Sequence, residues 1–143
     1  MSIIFSRQCE YALQSVSYLA LQPAGKKTSI KELAGKLHIP YHFLAKILQN
    51  LTYKKLLVSQ KGPSGGFALA LNPDKITLFH IVEAIDGAGF STKCLMGFPN
   101  CSGNSPCAVH KQWIKMREEI YSMLISENIA EMAKAMKKPE YRL

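Results

Sequence analysis

Apolar residues recur at helical spacing along most of this chain. Phe5, Cys9, Ala12, Leu13, Val16, Leu19 and Ala20 mark one face, so residues 6–21 are predicted to form an amphipathic helix ended by Pro23 and Gly25. Ser29 and Glu32 occupy the two capping-box positions, and Ile30, Leu33, Ala34 and Leu37 follow as a short apolar face, predicting a helix over 29–37. Pro40, after His38 and Ile39, breaks it. Phe43, Leu44, Ile47, Leu48 and Leu51 then predict a third helix over 40–54, leaving Tyr41, His42, Ala45, Lys46, Gln49 and Asn50 to face outward. Two short helices joined by so tight a turn match the helix-turn-helix arrangement.

The period then changes. Residues 56–61 and 67–71 are short strand-like runs around Gly62, Pro63, Ser64, Gly65 and Gly66, which predicts a β-hairpin wing whose glycines let the tip approach a groove closely. Helical spacing returns over 77–86, with Thr77 as cap, His80 as a packed helix residue, and Gly87 and Gly89 as the stop. Val109, Trp113, Met116, Ile120 and Met123 recur at alternating steps of four and three, a seam suited to helix–helix packing. A long helix placed after a compact winged unit is expected to pair with a second subunit, giving a homodimer. Residues 126–138 predict one more short helix, with Ile129, Met132, Ala133 and Met136 inward. The expected fold is mainly α with a small β-hairpin: a winged helix-turn-helix plus a long C-terminal dimerisation helix. One compact domain is divided into a DNA-binding region (1–86), a cysteine loop (87–107), and a dimerisation helix with its tail (108–143).

Composition narrows the class. The chain has 143 residues, 48% of them apolar and 20% charged, which suits one domain with a proper core. No apolar run approaches the roughly 18 residues of a membrane helix, and the opening stretch lacks a signal-peptide series, so a cytoplasmic protein with no membrane partner is expected. The net charge of +8 is concentrated: Lys26, Lys27, Lys31, Lys36, Lys46, Lys54, Lys55 and Lys61 face one acid, Glu32, between residues 26 and 61, a local +7. Such a block raises the potential where a polyanion docks, and double-stranded DNA is the expected partner.

Three of the four cysteines, Cys94, Cys101 and Cys107, lie in a segment rich in Gly, Pro, Asn and Ser, with gaps of six and then five residues. Such a segment suits a ligand loop, and cysteines in a protein without an export signal point to metal or redox chemistry before a disulfide framework. Pro106 is placed to start a helix, which would set Cys107 and His110 one turn apart on one face. The residues alone leave three chemistries open: an iron–sulfur cluster, a zinc ion on Cys94, Cys101, Cys107 and His110, and a thiol switch. Zinc sites usually space their cysteines more closely than these. There is no phosphate-binding glycine loop, paired catalytic carboxylate or nucleophile motif, and side chains one helical turn apart seldom meet in attack geometry, so no enzyme activity and no small-molecule substrate are expected.

Glu10-Tyr11-Ala12-Leu13, the helix-turn-helix, the wing from Val58 to Phe67 and the three-cysteine loop together resemble the bacterial winged-helix regulators typified by IscR and NsrR, the "Rrf two" family. The resemblance spans nearly the whole chain. It implies a dimeric transcription factor, expected to act as a repressor on a palindromic operator, with DNA affinity switched by an iron–sulfur cluster of 2Fe-2S or 4Fe-4S type that senses redox, nitric oxide or iron–sulfur status. Residue by residue, it makes Cys94, Cys101 and Cys107 the cluster thiolates. His110 corresponds to the fourth ligand in IscR-like members, and Glu10, reaching across from the partner subunit, to that in NsrR-like members; Cys9 ranks below both because it fits the apolar stripe. The first gap in the loop is longer than in those relatives, and Ala45 stands where IscR-like proteins carry a polar base-reading residue.

For DNA, Tyr41 and His42 are expected nearest the base edges, with Ala45 on the same face. Lys46, Lys54, Lys55 and Lys61 are expected to meet phosphates, and Ser64, Gly65 and Gly66 to carry the wing tip along the minor groove.

Overall fold

The computed structural model describes residues 4–143, so the first three residues of the opening stretch lie outside the described residues. Six α-helices and one hairpin are present among them: α1 (Arg7–Leu21), α2 (Ile30–Leu37), α3 (Tyr41–Tyr53), β1 (Leu57–Gln60), β2 (Gly66–Leu69), α4 (Leu78–Asp86), α5 (His110–Ser126) and α6 (Ile129–Met136).

Side-chain caps set most of the helix starts, among them the predicted Ser29 and Thr77. Ser6 accepts from the Cys9 amide at 3.1 Å, Ser29 from the Glu32 amide at 3.1 Å, and Asn128 from the Glu131 amide at 2.9 Å, each satisfying a backbone donor that the helix leaves free. Only the serine half of the capping box forms at α2, because the Glu32 carboxylate turns to the Tyr18 hydroxyl and the Lys26 ammonium. Thr77 caps α4 in a two-way arrangement: its hydroxyl accepts from the His80 amide, and its own amide donates to His80 Nδ1 at 3.1 Å. His80 is therefore an exposed capping group, and its expected place among packed helix residues is corrected.

α1 is the central element, packing against α2, α3, α4, α6 and β2. Ala12, Val16 and Leu19 of α1 meet Leu33, Leu44, Leu48, Leu51, Leu57, Ile76, Ile81 and Ile129 in one core. Burying each leucine contributes about 1.5–3 kcal/mol. Ser15 and Ser17 are also buried, and they fold their hydroxyls back onto the Tyr11 and Leu13 carbonyls at 2.8 and 2.7 Å. A smaller apolar cluster of Cys9, Val82 and Leu124, flanked by Phe5, Phe79, Phe90 and Ile120, joins the start of α1 to α4 and α5. Asp86, at the end of α4, accepts from both the amide and the hydroxyl of Ser6 and so ties the two helix termini together.

The turn between α2 and α3 is tight because His38 takes a left-handed conformation (φ 56°) and donates its amide to the Ala34 carbonyl. Pro40 then leads directly into α3. Phe43 departs from its expected inward position: it is 37% exposed and meets Tyr11 edge to face at 5.6 Å. Ala45 and Asn50, expected to face outward, are half-buried.

β1 and β2 pair antiparallel with Leu57 opposite Leu69 and Gln60 opposite Gly66. A two-way backbone bridge from Thr28 to Phe67, at 2.9 and 2.8 Å, fastens the hairpin to the segment between α1 and α2. Gly66 sits at φ 144°, and a β-carbon there would collide with the Thr28 carbonyl; one at Gly65 would collide with the Gln60 carbonyl. Both glycines thus have a reason inside the fold as well as any role at the wing tip.

The cysteine segment contains more regular structure at its start, and less at its end, than its composition suggests. Residues Ala88–Thr92 form a 3₁₀ turn. α5 begins at His110, not at Pro106, so Cys107 lies in the preceding turn, where its carbonyl accepts from the His110 amide at 3.1 Å. The expected placement of both residues on one helical face is corrected. α6 packs back on α1, and Ile129 and Ala133 are buried as expected.

Candidate functional site

Two surfaces carry chemistry. The first is the helix-turn-helix with its wing. Tyr41 and His42 stand exposed in the first turn of α3, their rings edge to face at 5.6 Å, and Lys46 and Gln49 continue the exposed face at helical spacing. Lys54 and Lys55 follow the end of α3, Lys55 in a left-handed conformation (φ 66°), and Lys61 with Ser64 lies at the exposed hairpin tip. Lys26 is engaged by Gln22 at 3.0 Å and by Glu32 at 3.5 Å. Among the described residues, Lys31, Lys36, Lys46, Lys54, Lys55 and Lys61 have no acidic partner. Their charge therefore stays available to an external anion.

The second surface is the cysteine loop. All four cysteines are free thiols, with Cys9 and Cys94 buried and Cys101 and Cys107 partly so. The loop brings Cys101 and Cys107 near enough to Cys94 for their thiols to influence it. Burial pushes the Cys94 thiol up, but the backbone amides of Phe98 and Met96, then the Cys107 and Cys101 thiols, outweigh it, so the net direction is down. His110 Nδ1 lies 3.4 Å from Cys101 Sγ. As the side chains stand, no group of three or more His, Cys, Asp or Glu among the described residues is arranged around a single metal ion. The donor set, three soft thiols and an imidazole, fits iron in kind.

The other sequence candidates lie elsewhere. Glu10 pairs with Arg7 at 3.2 Å, and no hydrogen bond or ion pair among the described residues joins it to the loop. Cys9 is fully buried, and its thiol is pushed up to about 12 by burial, then by Asp86 and Glu10. It packs as a small hydrophobe.

Sequence reasoning placed Trp113 in the helix seam and Arg117 between seam positions, and missed that both hold the loop. Within this chain the inward stripe of α5 runs through Trp113, Arg117, Ile120 and Leu124, while Met116 and Met123 of the predicted seam are 56% and 48% exposed. Arg117 and Trp113 both donate to the Lys93 carbonyl, at 2.9 and 2.7 Å. Their spacing of four residues was the available signal.

Residues 5–135 match the Rrf2 family model, described as iron-dependent transcriptional regulator. A putative HTH-type transcriptional regulator of Aquifex aeolicus is 36% identical over 132 residues, covering 91% of each chain. The HTH-type transcriptional regulator IscR of Aliivibrio salmonicida is 27% identical, with 85% of this chain and 72% of that one covered. In fold, the chain is similar to CymR, the global cysteine regulator of B. subtilis, at a TM-score of 0.79 and 24% identity, covering 94% of this chain and 98% of that one.

Proposed function

Because the chain belongs to the Rrf2 family of DNA-binding transcriptional regulators, whose members are not enzymes, we propose that it is a homodimeric repressor switched by an iron–sulfur cluster on its cysteine loop. The observation that carries this reading is the presence of the Cys94, Cys101 and Cys107 free thiols on one loop, with His110 Nδ1 3.4 Å from Cys101 Sγ. Cys94, Cys101 and Cys107 would hold the cluster, and His110 would be the fourth donor from within the same chain. Glu10 ranks second, since Arg7 already engages it. When bound, the cluster supplies iron that responds to redox change, nitric oxide or iron–sulfur status.

The chain's own residues do the rest. A nitrogen donor at the fourth position is exchanged more readily than a thiolate, and its release would free the start of α5, which begins at His110. Met116 and Met123, exposed along α5, supply an apolar seam for a second copy, so loop and dimer geometry are coupled through one helix. DNA readout depends on that geometry, because paired recognition helices must match half-sites about one helical turn apart. On each half-site Tyr41 and His42 would reach base edges, Lys46, Lys54, Lys55 and Lys61 would meet phosphates, and the wing tip at Ser64, Gly65 and Gly66 would follow the minor groove.

Anaerobic purification with absorption spectroscopy and iron and sulfide assay tests the reading, followed by DNA binding before and after cluster removal. A coloured protein whose operator affinity changes on removal supports it. A colourless chain whose DNA binding responds to mild oxidation of the loop thiols would favour the second reading, a thiol-based regulator, which the free cysteines on one loop also permit.

A further inference from the structure

The cysteine loop is joined to α5 by a buried cation with no carboxylate partner among the described residues. Arg117 is 9% exposed. One guanidinium nitrogen donates to the Lys93 carbonyl at 2.9 Å and to Cys101 Sγ at 3.8 Å, and among the described residues no Asp or Glu pairs with it. A guanidinium stays ionised at any ordinary pH, and removing it from water is costly unless an anion compensates. The Lys93 carbonyl and a neutral thiol accept hydrogen bonds but supply no negative charge. Of its hydrogen-bond partners among the described residues, Cys101 is the one that can become anionic. Trp113, one turn earlier, donates to the same carbonyl, so two α5 side chains grip the residue immediately before Cys94.

We propose that Arg117 is a positioning residue and counter-ion for an anionic centre built on Cys94, Cys101 and Cys107. With Trp113 it holds the loop at Lys93, and its charge stabilises the negative sulfur of Cys101. This rests on the reading of the loop as a thiolate centre, and it adds the group that makes such a centre favourable at this spot. Trp113 contributes position alone; Arg117 contributes position and charge. A disulfide is neutral and would leave the guanidinium without compensation, so Arg117 favours a metal-bound thiolate state of the loop over an oxidised one.

The test uses the full chain in four forms: wild type, R117M, R117K and W113F. Each is confirmed folded by circular dichroism, titrated with cadmium through its thiolate charge-transfer band, and separately loaded with iron and sulfide. Residues that support metal ligands typically change metal affinity by about 10–100-fold, so R117M should bind cadmium at least about tenfold more weakly. R117K should recover most of that loss. R117M should also shift the midpoint potential of the loaded protein to a more negative value, because a cation beside a cysteinyl sulfur stabilises the reduced, more negative form. W113F should weaken retention against a chelator and leave the potential unchanged.

Equal cadmium affinity in wild type and R117M would overturn the role given to Arg117, as would R117K behaving like R117M in both readouts. If R117M does not fold, R117Q serves as the neutral variant: a potential that moves with W113F as much as with R117Q would show that charge is not involved. A wild-type chain that binds cadmium in an Arg117-dependent way and takes up no iron and sulfide would sink the cluster reading alone.

Discussion

The helix-turn-helix and the cysteine loop are the two candidate functional surfaces of this chain, yet they are held by different kinds of contact. α2 and α3 stand on buried Leu33, Leu44, Leu48 and Leu51, and Ser29 and the left-handed His38 define the start and end of α2. Their outward side chains are free because the inward ones do the holding. The loop from residue 94 to 107 has one well-buried apolar anchor in Cys94, and Leu95, Met96 and Phe98 are each more than half exposed. It is positioned instead by polar contacts: the Arg117 and Trp113 donors on Lys93, and the His110 and Arg117 contacts to Cys101. Apolar packing fixes a surface whatever is bound to it, whereas polar contacts around reactive thiols depend on the state of the sulfurs. A reader of DNA needs the first and a sensor needs the second.

The contrast can be broken most directly by comparing L48A with C101S. Leu48 is fully buried, so L48A should cost about 2–5 kcal/mol in urea unfolding and reduce DNA binding through lost folding. C101S should leave the urea midpoint close to wild type while abolishing iron retention; a loss of stability as large as that of L48A would show that the loop is part of the core. Next in size is G66A. Its β-carbon would collide with the Thr28 carbonyl at a backbone angle that L residues rarely adopt, so about 1–3 kcal/mol should be lost by thermal unfolding. An unchanged melting curve with weakened DNA binding would assign Gly66 to the groove and not to the fold.

Smaller effects sharpen the DNA side. K46A and K61A should each lower the slope of log affinity against log salt by about 1, uniformly across sequences, as expected for phosphate contacts. A substitution that alters sequence preference and leaves the slope unchanged would move that lysine to a base edge. The smallest expected change is S29A, which removes the acceptor for the Glu32 amide and should cost about 1 kcal/mol by urea titration, with iron content unaffected.

Much of the DNA-facing half was legible in the sequence because its periods are local. Leu44, Ile47, Leu48 and Leu51 mark the buried face of α3, and Ser29 and Thr77 mark caps, since each acts on residues within one or two turns. Phe43 escaped the pattern because Tyr11 gave a partly exposed ring an aromatic partner from another helix. At the cysteine loop the residue types were legible and their arrangement was not. Pro106 is a good local helix starter, yet α5 begins at His110 because the segment before it forms the turn that brings Cys107 toward Cys94. Arg117 was hidden for a similar reason: a basic residue between seam positions suggests a solvated face, and only the arrival of Lys93 and Cys101 from a distant segment supplies acceptors for it.

The sequence by itself determined the helices, the hairpin, the basic block and the presence of three soft donors in one irregular loop, because periodicity, capping and composition are read over short separations. Tertiary structure decided that His110 and not Glu10 lies beside a loop thiol within one chain, that Cys9 is a core residue, and that a buried arginine faces Cys101. Those choices depend on which distant segments share a low-dielectric space, where a buried charge or polar group without a partner is costly.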